Sequence, residues 1–357
     1  MKRVGIDGHV LTGKYQGSRT YIENILREIG RQDQHNQYII YSYAPEETAS
    51  AFPYANFEHV PIGMRSSSAR LLFYWPWAKH RHRLDILLTQ YIGPPFFGGL
   101  QFVMVHDLLF ESHPQFFPTL MRWRLQWLCR RSALRAERVF TVSRYSREEL
   151  IRRYGIADWR IVVTPNGAPE VAPSSVSVDP EIMGLQPYLL SVGRIEPRKN
   201  VELLVRAFRA AGIAPVKLVI VGREDFGCRQ VAERLAGEPG IVHLRDVSHP
   251  RLVELYRHAA GLVFPSLGEG FGIPVLEAIS YGTPVIASNQ TAIPEAGGSL
   301  ARYFDPTAAN AEEQLAAEIK KLVGHPYRIA EPLIREHVAQ FTWEASAGSL
   351  IEAINGC

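Results

Sequence analysis

The sequence predicts an α/β protein made of two doubly wound, largely parallel sheets, and three observations lead there. Its 357 residues exceed what one hydrophobic core usually serves, so two domains are expected. Across the second half, short apolar runs at 188–193, 216–222, 241–244, 261–264 and 284–287 alternate with amphipathic ones. Such alternation builds a parallel sheet covered on both faces. Between the halves, APEVAPSSVSVDP (168–180) is rich in Pro and Ser and lacks periodicity, as a linker does. The domains are therefore expected at 1–172 and 183–340. Apolar content of 46% with 21% charged residues describes a globular chain that folds in water.

In the first half, 2–6 reads as a strand, and a Gly-rich loop then leads to a helix starting near Ser18 or Thr20 and ending at Gly30. Tyr21, Ile25, Leu26 and Ile29 recur at helical spacing and form its inner face. The loop carries no GxGxxG, so it is a weak dinucleotide signal. Strands follow at 38–43, 57–60, 86–89 and 102–105. The last delivers His106 and Asp107 to the carboxyl end of the sheet, where open α/β sheets bind ligands. Chemistry alone leaves two readings of this pair: ligand contacts, or a structural histidine beside a turn-capping aspartate. A strand at 138–143, a helix at 144–154 capped by Ser143 or Ser146, and a strand at 161–164 complete the half. Pro165-Asn166-Gly167 marks the turn that leaves it.

The second half is organised around VFPSLGEGFGIPVLEAISYGTPVI (263–286), a buried strand, a turn through Gly268, Gly270 and Gly272, and a helix entered at Pro274. Such a turn aims backbone N–H groups and the positive helix end out of the sheet edge, which suits an anion. Glu269 and Glu277 sit in the same stretch. Carboxylates beside a phosphate site should accept hydrogen bonds from hydroxyls. The plainer reading makes Glu269 a solvated loop residue and Glu277 a first-turn complement to the helix dipole. YLLSVG (188–193) followed by GRIEPRKN adds Gly193, for close backbone approach, and three cations, Arg194, Arg198 and Lys199. LVIVG-REDFG (218–227) lacks the second glycine of a tight dinucleotide loop. Helices are expected at 311–323, 329–339 and 343–354. The last, with Thr342 as cap and Trp343 as anchor, either packs within the second domain or crosses back to the first.

Net charge is +3, divided as +7 over residues 1–172 and −4 over the rest, so the first half should meet any anionic surface. No nucleic-acid module accompanies that charge, and no nucleic-acid partner is expected. Cys129, Cys228 and Cys357 are scattered without metal-ligand spacing, which fits a reducing compartment and speaks against structural zinc. MKRVGIDGHV already reads as strand and turn with no signal peptide, and no run reaches the length of a membrane span. Two segments, 70–83 and 118–135, mix Trp with Arg, Lys and His. The second reads as a helix with Leu120, Trp123, Trp127, Leu128 and Leu134 near one face and Arg122, Arg130 and Arg135 elsewhere. That face either packs on the core or lies on an anionic bilayer.

Taken together, the N-terminal loop, VHDL (105–108), TVSRYS (141–146), VTPNG (163–167), GRIEPRKN, LVIVG and the Glu269-to-Glu277 block resemble retaining, nucleotide-sugar-dependent glycosyltransferases of family 4. The resemblance implies the GT-B fold, two Rossmann-like domains facing across a cleft, with the acceptor on the N-terminal side. It further implies that Arg194 and Lys199 hold the donor diphosphate, Glu269 the transferred sugar and Glu277 the ribose. Gly17, Gly193, Gly270, Phe271 and Gly272 would line the donor, and Val247 would frame its base. His106 would lie near the donor sugar, with Asp107 orienting it. The loop departs from the family at Gly17-Ser18-Arg19-Thr20-Tyr21, where Gly-Ile-Gly-Arg-Tyr is common. VHDLLFESHPQFFP (105–118) resembles bacterial polysaccharide mannosyltransferases, which implies GDP-mannose as donor and a glycan or lipid-linked glycan hydroxyl as acceptor. A UDP-sugar donor, a nucleotide-sugar epimerase and a non-catalytic sugar-nucleotide-binding protein are the alternatives. No Asp-x-Asp occurs, so no metal or other cofactor is expected. The place of work would be the cytoplasm, peripheral to the inner face of the plasma membrane.

Overall fold

The computed structural model describes every residue except 13–16, 172–178, 226, 227, 229, 230, 232, 234 and 236. Part of the N-terminal loop, the centre of the expected linker and Phe226-Gly227 of REDFG therefore lie outside the described residues. The chain forms two compact units, Met1–Gly167 with Phe341–Cys357, and Ala168–Gln340.

Among its described residues the first unit holds seven strands: β1 (Arg3–Asp7), β2 (Gln37–Ser42), β3 (Phe57–Pro61), β4 (Ile86–Gln90), β5 (Leu100–Met104), β6 (Arg138–Thr141) and β7 (Ile161–Val163). Their order is β3-β2-β1-β4-β5-β6-β7, and every pairing is parallel. The central strands carry apolar residues on both faces because helices cover both. Ile39, Tyr41, Trp75 and Leu87 gather in one core cluster, and Val103, Cys129, Ala133 and Leu150 in another. Chain order reverses between β1 and β4, which opens a crevice at their carboxyl ends.

The helix Gly17–Gln32 buries Tyr21, Ile25, Leu26 and Ile29, the face its spacing predicts. Against it lies the helix Trp343–Asn355, so of its two expected placements the structure adopts the one on the first unit. Thr342 caps that helix by accepting from Ala345 N at 3.1 Å, and the Trp343 ring meets Tyr21 edge-on at 5.9 Å. Asn36 Nδ2 donates to Asn355 Oδ1 at 2.8 Å near the other end. Gly167 closes the seat: a Cβ there would stand 2.6 Å from the Trp343 backbone N. Gly167→Ala is expected to cost about 1–3 kcal/mol. Urea unfolding would register it, and an unchanged midpoint would mean that Trp343 is not held there.

The helix Thr119–Arg135 answers the question left open by its sequence. It buries only Cys129, Ser132 and Ala133, while Leu120, Trp123, Trp127 and Leu134 are exposed. The core-facing reading of those four is overturned, because Leu125, Cys129 and Ala133 supply the face turned to the core.

Among its described residues the second unit has six parallel strands, β8 (Tyr188–Val192), β9 (Lys217–Val221), β10 (Ile241–Leu244), β11 (Gly261–Phe264), β12 (Val285–Ser288) and β13 (Ala301–Phe304), in the order β10-β9-β8-β11-β12-β13. β13 is absent from the sequence expectations. The helix Val201–Ala211 packs on Ala311–Gly324 across a core that includes Leu204, Phe208, Leu315 and Ile319. Here the order reverses between β8 and β11, so the loops after these two strands meet at the switch point.

Candidate active site

The two loops at the β8/β11 switch point are laced together before any side chain is considered, since Leu267 N donates to Arg198 O at 2.8 Å. Arg198 extends the join by donating from Nη1 to Gly268 O at 2.6 Å. Gly193, at φ +146°, turns the chain out of β8, and a Cβ there would lie 3.2 Å from Lys199 Cε. A short turn, Pro197–Lys199, then points its cations back at the second loop.

Glu269 receives them. Its Oε2 lies 2.7 Å from Arg198 Nη1 and its Oε1 2.6 Å from Lys199 Nζ, with little of any of the three side chains exposed. Burial by itself would raise the carboxyl pKa, but Arg198 and Lys199 outweigh it and hold the group at about 2. Burial pulls Lys199 below the usual lysine range, with Arg198 adding to the pull and Glu269 opposing it. The plainer reading of Glu269 as a solvated loop residue is therefore overturned. Its backbone is pinned as well: Glu269 N donates to Thr291 Oγ1 at 2.8 Å, and Thr291 Oγ1 donates to Glu269 O at 3.0 Å. Thr291, itself at φ +55°, gave no signal in the sequence.

Gly270, the buried Phe271 and Gly272 carry the turn into the helix Ile273–Ser280. Gly272 caps that helix at φ +115°, and Pro274 occupies its second position. Glu277 is the fifth helical residue, not part of the first turn as the sequence reading had it, so the dipole explanation lapses. Its carboxyl group is enclosed, accepts from Tyr256 OH at 2.7 Å, and is pushed by burial up to about 7. Glu269 and Glu277 are thus oppositely tuned, one a fixed carboxylate and one poised near neutrality. Ser266 Oγ, fully buried two residues after β11, has no hydrogen-bond partner among the described residues.

Arg194 stands apart from this cluster and pairs with Asp225 at 3.2 Å. The sequence reading gave Lys199 to a diphosphate and Glu269 to a sugar, whereas here they bind each other. Val247 lies in the loop after β10, beside the exposed pairs Arg223–Asp246 and Arg245–Glu224.

In the first unit, His106 follows β5 and is 8% exposed. Burial holds its pKa down at about 4, so the ring is neutral at pH 7. Its Nε2 lies 3.1 Å from Gln90 Oε1, at the end of β4, and Tyr21 meets the ring edge-on at 5.2 Å. Gln90 Nε2 is buried without a partner among the described residues. Asp107 accepts from Leu109 N at 3.0 Å and from Tyr91 OH at 3.2 Å, so it does cap its turn. Gly17 opens the helix after the undescribed loop residues and is exposed. Gln90, Thr291 and Tyr256 are the site residues that sequence reasoning missed.

The two parallel α/β units, one with a switch point that joins a cationic loop to a Glu-Gly turn, are shared with known proteins. The family model for glycosyl transferases group 1 matches residues 179–331, and that for Glycosyltransferase Family 4 matches 15–170. The O-antigen chain mannosyltransferase B of Escherichia coli is 31% identical over 268 residues, 70% of this chain and 68% of that protein. The O-antigen chain mannosyltransferase RfbU of Salmonella typhimurium is 28% identical over 62% of this chain and 61% of that one. The crystal structure of Anabaena Alr3699/HepE in complex with UDP and glucose superposes with a TM-score of 0.76 over the whole of both chains, at 18% identity, which establishes the GT-B fold. The chain belongs to glycosyltransferase family 4.

Proposed function

We propose that the protein transfers a mannosyl group from GDP-mannose, with retention at the anomeric carbon, to a hydroxyl of a glycan or lipid-linked glycan in cell-surface polysaccharide synthesis. The observation that carries this reading is the β8/β11 switch point, where Gly193, Lys199, Glu269 and the Gly270–Gly272 turn meet within hydrogen-bonding range of one another's loops. The likeness to O-antigen mannosyltransferases supports the sugar and the setting. In this reading the bond from the anomeric carbon to the donor phosphate breaks as the bond to the acceptor oxygen forms on the same face. The acceptor proton passes to the departing phosphate. Lys199, Arg194 and the turn's amides offset the charge that develops on the diphosphate, a preorganised electrostatic role. Glu269 and Glu277 accept from sugar and ribose hydroxyls, and Val247 frames the base. His106, neutral and buried, offers a hydrogen bond to the transferred sugar. No divalent metal or other cofactor is assigned a part. A peripheral station on the cytoplasmic face of the plasma membrane belongs to the same proposal.

Calorimetric titration with GDP, UDP, ADP and dTDP in EDTA tests it. Selective binding of GDP, weakened by Glu277→Ala, is the expected result. Selection of UDP would move the donor assignment to a UDP-sugar, and no binding with or without added metal would remove the donor site.

A further inference from the structure

The helix Thr119–Arg135 carries five arginines, at 122, 124, 130, 131 and 135, and no acidic residue. None of the five is ion-paired among the described residues, and the Nε atoms of Arg122 and Arg131 are shielded without any hydrogen-bond partner there. On the same helix Leu120 is 86% exposed, Trp123 65% and Trp127 63%. Arg131 lies 5.5 Å from the Trp127 ring centroid, so cation and indole are presented as one unit.

The exposed apolar surface continues past the helix. Arg124 Nη2 donates to Ser67 Oγ at 3.0 Å, joining it to the segment that exposes Leu72, Phe73 and Trp77. Arg135 Nη1 donates to Pro95 O at 2.9 Å, joining it to the loop that exposes Phe96. Of the sixteen large hydrophobic residues exposed among the described ones, nine fall between Leu72 and Leu134 on these elements. Along the helix runs an open groove of about 860 Å³ lined by Trp123, Trp127, Arg130, Arg131, Arg135 and Arg153. Its single carboxylate, Glu111, is already occupied by Gln126 Nε2 at 3.0 Å and Tyr154 OH at 3.0 Å.

We propose that this face is a docking surface for an anionic lipid bilayer, with the groove seating lipid phosphates and the Trp and Leu tips entering the acyl boundary. Charge complementarity and the kind of apolar group both point there. Nine large exposed apolar side chains on neighbouring elements are more than the scattered single ones a water-facing surface carries. Arginine with indole suits the headgroup layer, where one end of the side chain is wet and the other is not. A nucleic acid would use the guanidinium and aromatic groups but gives no account of Leu120, Met121, Leu134 and Leu72. The inference deepens the peripheral station proposed for the enzyme, yet it stands on this surface alone and not on the donor site.

The test is co-sedimentation of the full chain with vesicles of phosphatidylcholine, or of equal parts phosphatidylcholine and phosphatidylglycerol, with tryptophan emission as a second readout. The parent should sediment with the anionic vesicles only and its emission should move to the blue. Arg130→Gln with Arg131→Gln should weaken partition about thirtyfold, and Trp123→Ala with Trp127→Ala about tenfold or more. Arg130, Trp123 and Trp127 are exposed and Arg131 is half-buried, and both variants should melt with the parent and keep its nucleotide binding. Equal recovery on neutral and anionic vesicles, or variants that partition like the parent, would overturn the proposal. So would displacement by glycerol 3-phosphate at equal phosphate, or binding to a single-stranded oligonucleotide in preference to vesicles. A chain that binds vesicles and no nucleotide would keep this surface and lose the donor reading, and the reverse result would do the opposite.

Discussion

Glu269→Gln should lower the melting temperature of the second unit by roughly 5–10 °C and reduce kcat/KM at least about a hundredfold. The substitution keeps the side chain's shape and removes the charge that Arg198 and Lys199 both face. Two poorly solvated cations are then left against each other, and breaking such an arrangement costs about 2–3 kcal/mol where a little solvent still reaches it. The pH dependence separates this cause from a packing defect. The folded carboxyl titrates at about 2, against an ordinary value of 4.5, so its contribution is complete above 4.5 and is lost as pH falls toward 2. Parent and variant should therefore differ most near neutrality and converge in acid. A constant gap across that window would mean that the ion pairs are not what the carboxylate contributes.

Glu277→Gln should act in the opposite sense on stability while weakening nucleotide binding by about ten- to a hundredfold. Burial raises this carboxyl to about 7, so its ionisation opposes folding progressively as pH climbs from 4.5 through 7. Glutamine removes that penalty and still accepts from Tyr256 OH, so the variant should be more stable than the parent by about 1–2 kcal/mol at pH 8 and level with it near pH 4.5. In the parent, a ribose that donates to the carboxylate favours the ionised form. Affinity should then rise between pH 6 and 7, by at most about tenfold per unit, and flatten above. Calorimetry at pH 6, 7 and 8 would show that slope in the parent and none in the variant. A flat parent profile would remove Glu277 from the ribose.

Short apolar runs were enough to locate twelve of the thirteen strands among the described residues to within a residue or two, and most plainly the central ones, because a parallel strand buried on both faces is written as an unbroken apolar stretch. β13, the four residues ARYF, escaped because Arg302 interrupts any apolar run and only Phe304 is buried. The site was legible as residues and not as contacts. Gly193, Glu269 and Glu277 stood out from local pattern, whereas the pairing of Lys199 with Glu269 joins positions seventy apart and follows from strand order. Gln90 beside His106 and Tyr256 beside Glu277 are likewise meetings of separate elements, and no periodicity within either reports them. For Thr119–Arg135 the helix was readable but its facing was not. Leu125, Cys129 and Ala133 supply the face turned to the core, and the last two are small, which a search for large apolar side chains overlooks.

The seat of the helix Trp343–Asn355 on the first unit also orders the events of synthesis. Residues 168–340 are contiguous and can complete their sheet as soon as β13 and the helices after it have left the ribosome. The first unit, although translated earlier, waits with the Tyr21 side of its first helix uncovered until Trp343 arrives. A chain truncated after residue 340 would thus present a complete second unit joined to an unfinished first one. Chaperone demand should fall on the amino-terminal half, the reverse of what translation order alone would assign.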